Sequence, residues 1–330
     1  MKRLFAILSL CVLTVSCYDE YVKDYDYSAV SVAYQYDLRT LVVGEGMKFD
    51  FGTMLSGVIS NERDRVVRYS VDNSLIDDEA FAIMAGTSIA GSVSQPYVTA
   101  AITSAGIKRL TPVPENYYTL SSPGEMTIEK GRHTATVTFK ADSAAMLADA
   151  SVKPSPYYAF AYRIEEADAD KVLEKKNFGV IALRIENRFF GNWYHGGYTV
   201  VRNDMTSEIV SEQYYSGEVP QPDTRIYTLS STGPFSLRSN RIGNANGTLD
   251  FTFDGDAITL SAPSREIEPW GEGSRFNGAK LLQDRKLFLS YKYSNGNGTT
   301  TYIRDTLSFR NRMRDGVNEW QDPDPSHYND

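Results

Sequence analysis

Hydrophobic and polar residues alternate with a period of two along most of the chain, a pattern typical of strands that bury one face. We predict a hairpin from EMTIEKGRHTATVTFKAD, with Met126, Ile128 and Phe139 inward and a turn at Lys130-Gly131. Further strands are predicted in SVAYQYD, RVVRYSVD, YYAFAYRIEEA and NFGVIALRIENRF. Short strands separated by turn residues favour an antiparallel sandwich in the first part of the chain.

Three segments of this first part depart from the alternation. We predict short helices in ADSAAMLADA and ADADKVLEKK. Residues 75–114 form an insert rich in Ala, Ser and Gly without a clear period, so it is either a large loop or a helical excursion across one end of the sandwich. Long loops on rigid scaffolds often bind ligands, although a merely tolerated insertion is the commoner explanation.

The pattern changes near Asn187 to shorter strands rich in Gly, Asn, Tyr and Trp. At least two hairpins are predicted, with turns at Asp254-Gly255 and in SNGNG. Leu287 and Leu289 begin an alternation with one buried and one solvated face. A meander of this kind closes as a small barrel or sandwich.

The amino terminus carries the pattern of a lipoprotein signal peptide. Lys2 and Arg3 precede thirteen mostly apolar residues, LFAILSLCVLTVS, which suits a secretory segment of ~7–15 residues and is shorter than the ~20 of a membrane span. The small Ser16 precedes Cys17, so we predict cleavage and lipidation at Cys17. The alternative is a generic signal peptide cut elsewhere, with Cys17 left as a free thiol.

Charge and cysteine content then restrict the mature protein. Removal of the signal leaves 32 basic against 42 acidic residues, a formal charge of −10, which argues against nucleic acid as a partner. Cys11 leaves with the signal, so a mature chain acylated at Cys17 has no disulfide and depends on its core for stability. Attachment to the outer membrane would come from the acyl chains.

Several stretches resemble a family of Bacteroidota cell-surface lipoproteins: VGEGMKFDFGTMLSGVISNERDRVVRYSVD, NYYTLSSPGEMTIEKG, NRFFGNWYHGGY and TLSFRNRMRDGVNEW. Asp19 and Glu20, the second and third residues after the cysteine, likewise resemble the signal for export to the outer face of the outer membrane. The resemblance implies an immunoglobulin-like β-sandwich followed by a lipocalin-like β-barrel or sandwich. It also implies a role in polysaccharide utilisation, beside a transporter and lipoprotein pair, and transfers no site residue.

The resulting fold class is all-β. We divide the chain into five parts: a signal peptide at 1–17, a flexible acidic tether at 18–28, the immunoglobulin-like sandwich at 29–187, the lipocalin-like domain at 188–320 and an acidic tail at 321–330.

No catalytic or metal-binding motif stands out, and we predict a protein without a cofactor or enzymatic activity. His133, His195 and His327 are separated along the chain, and a structural role is the better explanation for His195. The acidic run EEADADKVLEK lacks the central Gly and closing Glu of a calcium loop. A glycosidase would need two facing carboxylates, and the sequence designates no such pair.

Aromatic residues in loops are the candidates for binding a sugar, since a flat ring can cover the apolar face of a pyranose. Trp270 ranks first because it lies in the Pro- and Gly-rich loop REIEPWGEGSRFNG, with Arg275 and Asn277 nearby. Trp193 and Tyr194 follow, in a Gly-flanked stretch at the domain junction.

We therefore predict a surface-exposed, lipid-anchored outer-membrane protein that binds a polysaccharide or oligosaccharide non-catalytically. Its alternative is a structural or adhesive surface protein that binds a protein or a cell, and a glycoside hydrolase is the third hypothesis. A shallow cleft with two exposed aromatic residues would favour glycan binding, whereas a flat apolar patch or an exposed edge strand would favour adhesion.

Overall fold

The computed structural model describes residues 25, 27–88, 94–149, 151–215 and 224–322. The predicted signal peptide, the lipidation site Cys17, the export signal Asp19 and Glu20, and most of the tether and tail lie outside these residues. Within the described ranges, no helix is long and apolar enough to cross a bilayer.

In the described residues, the first half folds into two β-sheets that pack face to face, with three short α-helices. Its strands are β1 (Ala29–Ser31), β2 (Tyr36–Val43), β3 (Lys48–Ser56), β4 (Arg65–Val71), β5 (Thr111–Pro112), β6 (Tyr118–Leu120), β7 (Glu125–Ile128), β8 (Thr134–Ala141), β9 (Tyr158–Ala167), β10 (Lys171–Val172) and β11 (Phe178–Asn187). Its helices are α1 (Asp78–Met84), α2 (Pro96–Ala105) and α3 (Ser143–Ala148). One sheet has the order β10-β1-β3-β8-β6; the other has the order β2-β11-β9-β4-β7, with β5 beside β9.

Aromatic rings fill the space between the two sheets. Phe49 and Phe139 stack at 4.8 Å between ring centroids, and Phe51 and Phe160 lie 4.9 Å apart. In β3 and β8 buried residues alternate with more exposed ones, as the sequence pattern predicts. The prediction of an all-β fold is confirmed in this half.

The insert at 75–114 covers the outer face of the second sheet. Helices α1 and α2 bury Met84, Val98 and Ile102 against Leu38 and Val180 of β2 and β11. Because this sheet is buried on both faces, β9 and β11 are nearly continuous apolar runs rather than alternating ones. In its described parts, 75–88 and 94–114, the insert is therefore a helical excursion that packs into the core.

Two local predictions are wrong. The stretch EMTIEKGRHTATVTFKAD is not a hairpin, since β7 pairs with β4 in one sheet and β8 pairs with β3 and β6 in the other. The prediction that Met126, Ile128 and Phe139 point inward is nevertheless correct. β7 and β8 lie in opposite sheets, and the apolar side chains of both face the core between them. The segment ADADKVLEKK forms no α-helix: it contains the short strand β10, paired in parallel with β1, and a 3₁₀ turn at Glu174–Lys176.

The second half is a closed antiparallel barrel. Its strands are β12 (Gly191–Asn203), β13 (Ile209–Tyr215), β14 (Ile226–Gly233), β15 (Ser236–Ile242), β16 (Ala245–Asp254), β17 (Ala257–Ser261), β18 (Glu268–Pro269), β19 (Ser274–Phe276), β20 (Lys286–Ser294), β21 (Thr299–Arg314) and β22 (Val317–Glu319). The sheet runs from β12 through β14 to β17, then β19, β20 and β21, and pairing of β21 with β12 closes it. The two predicted hairpins, β16–β17 and β20–β21, are confirmed.

The barrel interior is filled with side chains. Leu287, Leu289 and Tyr291 of β20 point inward, as predicted, and each is at most 1% exposed. At one level the interior is polar: the carboxylate of Asp305 lies 3.0 Å from the Nε2 of His195 and accepts a 2.8 Å hydrogen bond from the Tyr215 hydroxyl. Burial, reinforced by the charge of Asp305, raises the pKa of Tyr215, which keeps that hydroxyl protonated as a donor.

A buried ion cluster joins the two halves. Glu45 lies in the β2–β3 turn between Gly44 and Gly46, both at φ +77°, a left-handed conformation that glycine adopts without strain. The Oε1 atom of Glu45 lies 2.9 Å from Arg285, and its Oε2 atom lies 2.7 Å from Arg312. All three side chains are at most 3% exposed, so the sandwich contributes the anion and the barrel contributes both cations.

A second contact between the halves involves the β21–β22 turn. Asp315 in this turn accepts hydrogen bonds from the backbone N–H of Thr40 at 3.1 Å and from its hydroxyl at 2.6 Å. The neighbouring Gly316 lies so close to the Tyr97 ring of α2 that a Cβ there would be 2.8 Å from it. The insert of the first half thus supports the last hairpin of the barrel.

We expect Glu45→Gln to lower the free energy of unfolding by about 3–5 kcal/mol, because it leaves two buried guanidinium groups with one carboxylate fewer. Urea unfolding followed by tryptophan fluorescence measures the change. Glu166→Gln is the matched control, since Glu166 pairs with Arg68 on the surface and its loss should cost less than about 1 kcal/mol. Equal effects of the two variants would contradict the role of the cluster.

The cluster also predicts a dependence of stability on pH. Burial alone would raise the pKa of Glu45, but Arg312 and Arg285 outweigh it and hold the pKa below its ordinary value. The folded state therefore binds fewer protons than the unfolded state, in which the Glu45 carboxyl titrates near ~4.3. The stability difference between wild type and Glu45→Gln should be complete above that pH and shrink below it, as urea unfolding at several pH values would measure.

Candidate functional site

An open groove lies on the outer face of the barrel, where β12, β21 and β20 run side by side. It has a volume of about 310 Å³. The residues that line it are Gly197, Tyr198, Glu272, Gly273, Arg275, Phe288, Ser290, Arg304 and Thr306, and its floor reaches Leu289 and Asp305, whose side chains face the barrel interior. We call it the outer groove.

Strand register brings the groove residues together from distant parts of the chain. Tyr198 of β12 is paired with Arg304 of β21, and Arg304 is paired with Ser290 of β20. Side chains of residues paired across antiparallel strands point to the same face, so these three form a row across the outside of the barrel. Tyr214 of the edge strand β13 extends the row, because it pairs with Tyr198.

Two pairs of aromatic rings flank Arg304. On one side the rings of Tyr198 and Tyr214 lie 5.5 Å apart, and Tyr214 is 69% exposed. On the other side Trp270 contacts Tyr302 edge to face at 5.1 Å, and the Arg304 guanidinium lies 4.5 Å from the Trp270 ring. Of these four rings Tyr198 lines the groove and the other three border it, so apolar ring surface lies beside the cation.

The loop that carries Trp270 is held against β20. The Trp270 backbone N–H donates to the Ser290 carbonyl at 3.3 Å, and the Ser290 N–H donates to the Ser274 hydroxyl at 2.9 Å. The Ser290 hydroxyl donates in turn to the Trp270 carbonyl. These bonds fix the loop between the short strands β18 and β19, so the tryptophan is held in place without being buried.

The structure places only some of the predicted site residues at the outer groove. Arg275 lines the groove, where it pairs with Glu272 at 3.2 Å, and Trp270 borders it through Arg304. Tyr194 faces outward further along β12, beside Arg310 at 5.8 Å, and does not line the groove.

Trp193 and Asn277 are corrections. Trp193 is fully buried in the barrel, where it donates a 3.0 Å hydrogen bond to the Phe189 carbonyl, so it cannot cover a sugar. Asn277 braces its own loop instead: its side-chain N–H donates to the Asp284 carbonyl at 2.8 Å, and its side-chain oxygen accepts from the Lys286 N–H at 3.0 Å.

The remaining chemical candidates have structural roles. His195 is 2% exposed inside the barrel and lies beside the Asp305 carboxylate, as expected for a residue with a structural role. The acids of EEADADKVLEK contact separate partners: Glu165 bonds to a serine hydroxyl, Glu166 and Asp168 pair with different arginines, and Asp170 accepts from Ser28. In the part of the chain that the structure describes, no cluster of three or more acidic, His or Cys residues could hold a metal ion.

A larger cleft lies between the two halves, with a volume of about 730 Å³. Its charged groups are largely paired within the protein: Arg312 with Glu45 and Glu319, Arg314 with Glu319 at 2.8 Å, and Asp315 with Thr40. These contacts engage several of the charged groups on the walls of the cleft. The outer groove, with an exposed cation between aromatic pairs, is the stronger candidate.

Comparison with known proteins gives information about the fold of this chain. A family model described as a "-like, N-terminal domain" matches residues 18–171. A Bacteroides ovatus protein of unknown function is 17% identical, with a TM-score of 0.59, and the match covers 91% of this chain and 99% of that one. The likeness shows that the two proteins share a fold.

More distant structural matches come from the same genus. One is a multidomain Bacteroides ovatus protein that includes a domain of unknown function, at 12% identity, a TM-score of 0.39 and coverage of 89% of this chain and 100% of that one. Another is described as an auxiliary nutrient binding protein from Bacteroides thetaiotaomicron, at 13% identity and a TM-score of 0.36, covering 86% of this chain and 96% of that one. Comparison with curated proteins gave no match.

We expect Trp193→Ala to lower the free energy of unfolding by roughly 3–5 kcal/mol, because it opens a cavity in the barrel and leaves the Phe189 carbonyl without its donor. Trp320→Ala is the control, since Trp320 is 56% exposed and its removal should cost less than about 1 kcal/mol. Urea unfolding of both variants measures the difference. A small loss for Trp193→Ala would contradict its place in the core.

Proposed function

We propose that this protein binds a polysaccharide non-catalytically through the outer groove. The observation that carries the proposal is the pair of aromatic surfaces, Tyr198 with Tyr214 and Trp270 with Tyr302, on either side of Arg304. Rings of this kind cover the apolar face of a pyranose, while Thr306 and Tyr198, which line the groove, carry hydroxyls that can bond to sugar hydroxyls.

The expected affinity is modest. A ring that removes about 100 Å² of apolar surface from water contributes on the order of 2.5 kcal/mol at ~25 cal/mol/Å². Ordering of the ligand and incomplete desolvation offset part of this gain. Binding in the millimolar to tens-of-micromolar range is useful on a polymer that offers many copies of the same epitope.

The carboxylates of the groove do not support hydrolysis. Glu272 stands on the rim, 82% exposed and paired with Arg275, while the Asp305 carboxylate faces the barrel interior and contacts His195. A glycosidase needs two carboxyl groups on opposite sides of the bond to be cleaved. We therefore propose a binding protein rather than an enzyme.

The proposal extends to where the protein acts. The signal peptide pattern, Cys17 and the acidic Asp19 and Glu20 support a lipid-anchored protein of the outer membrane that faces the exterior. Such a protein would capture glycan for a neighbouring transporter and lipoprotein pair.

A second candidate function is supported by β13. This strand lies at the end of the sheet order, and its residues Ile209 and Val210 are 51% and 58% exposed. An edge strand with exposed apolar side chains is suited to pairing with a strand of another protein. Adhesion to a protein partner is therefore the alternative to glycan binding.

We expect Trp270→Ala to weaken polysaccharide binding by about tenfold, because it removes one ring and the support of Arg304. Affinity electrophoresis of the chain from Tyr18 onward, which keeps every described residue, against plant, host and microbial polysaccharides measures this. Trp320→Ala is the control, since it removes an exposed tryptophan outside the groove.

Three results can be distinguished. Retardation that Trp270→Ala reduces and Trp320→Ala leaves unchanged supports the proposal. Release of reducing sugar during the assay would point instead to hydrolysis. Absence of retardation by every polysaccharide would reject glycan binding and favour the protein partner at β13.

A further inference from the structure

Among the residues that the structure describes, the cation Arg304 at the centre of the outer groove has no carboxylate partner. Its side chain is exposed, and within the residues that the structure describes it takes part in no ion pair. Its contact in this region is the Trp270 ring, at 4.5 Å. An arginine stacked on an aromatic face keeps its N–H groups available at its edge.

The neighbouring cations on the same side of the barrel are paired. Arg275 lies 3.2 Å from Glu272, and Lys292 lies 2.9 Å from Glu268. The chain as a whole has a formal charge of −8, so acidic residues outnumber basic ones. Arg304 therefore differs from these neighbours, since no carboxylate among the described residues forms an ion pair with it.

The loop beside Arg304 leaves room for a ligand. Gly271 has φ +62°, a left-handed conformation that favours glycine, and a Cβ there would lie 3.1 Å from an Nη atom of Arg304. A side chain at position 271 would thus crowd the guanidinium. On the opposite side Gly197 and Tyr198 line the groove.

We infer that Arg304 binds the carboxylate of an acidic sugar, so that the polysaccharide bound in the outer groove contains uronic acid residues. The planar guanidinium donates two parallel N–H bonds to a carboxylate, and the flanking rings would cover the sugar to which that carboxylate is attached. This inference rests on the proposed function and specifies its ligand class.

The test uses Arg304→Gln in the chain from Tyr18 onward, with Arg310→Gln as the matched control. Arg310 is on the same strand, is also exposed and lies beside Tyr194, but it does not line the groove. The probes are polygalacturonate, alginate, hyaluronan and unsulfated chondroitin, each beside its carboxyl-reduced derivative, with a panel of neutral polysaccharides. Thermal unfolding of each variant verifies that it is folded.

We expect at least one acidic polysaccharide to bind wild type about tenfold or more tightly than its carboxyl-reduced form. Arg304→Gln should lose this preference, and Arg310→Gln should keep it. Added salt should weaken acidic-polymer binding by wild type more than by Arg304→Gln, because the lost contact is a charge pair near water.

Other results overturn the inference. Equal binding of an acidic polymer and its reduced form, or an unchanged preference in Arg304→Gln, would exclude recognition of the carboxylate by Arg304. Binding of neutral polysaccharides alone would reject the acidic ligand while leaving the proposed function standing. Failure to bind any polysaccharide, acidic or neutral, would reject both.

Discussion

The ion cluster around Glu45 determines how the two halves of this protein are joined. A carboxylate removed from water is stable only if cations and hydrogen bonds replace its hydration, and here Arg285 and Arg312 of the barrel supply them. An arginine–carboxylate pair is directional, since both groups are planar and their bonds are parallel. The cluster therefore sets an orientation between sandwich and barrel as well as an attraction.

Other contacts reinforce that orientation. The last hairpin of the barrel bonds to β2 through Asp315 and packs beside α2 through Gly316. Helix α2 is held in turn by the apolar outer face of the sheet formed by β2, β11 and β9. The 75–114 insert is thus part of the joint between the two halves, as well as a cover for the sheet.

Period-two alternation predicted strands such as β7, β8 and β20 because one face of each is buried. It could not predict which strands pair, so the turn at Lys130-Gly131 was interpreted as a hairpin, although the chain there passes from one sheet to the other. The failure at ADADKVLEKK has a similar cause: Ala and Lys favour a helix locally, but pairing of β10 with β1 outweighs that preference.

The candidate site was predictable only where it lies in a loop. Trp270 was identified because a tryptophan in a Pro- and Gly-rich segment has no obvious core to enter. The same reasoning failed for Trp193, since the adjacent glycines mark the start of a long strand and not a loop. Tyr198, Tyr302 and Arg304 were missed because nothing local distinguishes an outward residue on a solvated strand from one beside a groove. The register between β12 and β21, residues about a hundred positions apart, creates that distinction.

Inward and outward side chains alternate along β21, so substitutions on this strand fall into two kinds. Asp305 and Leu307 face the interior and hold the barrel together, whereas Arg304 and Thr306 face the groove. Substitution of the outward residues alters the chemistry of the surface without disturbing the packing behind it. The frame of the barrel and the chemistry of its outer face can therefore be altered independently, although the positions concerned follow one another along a single strand.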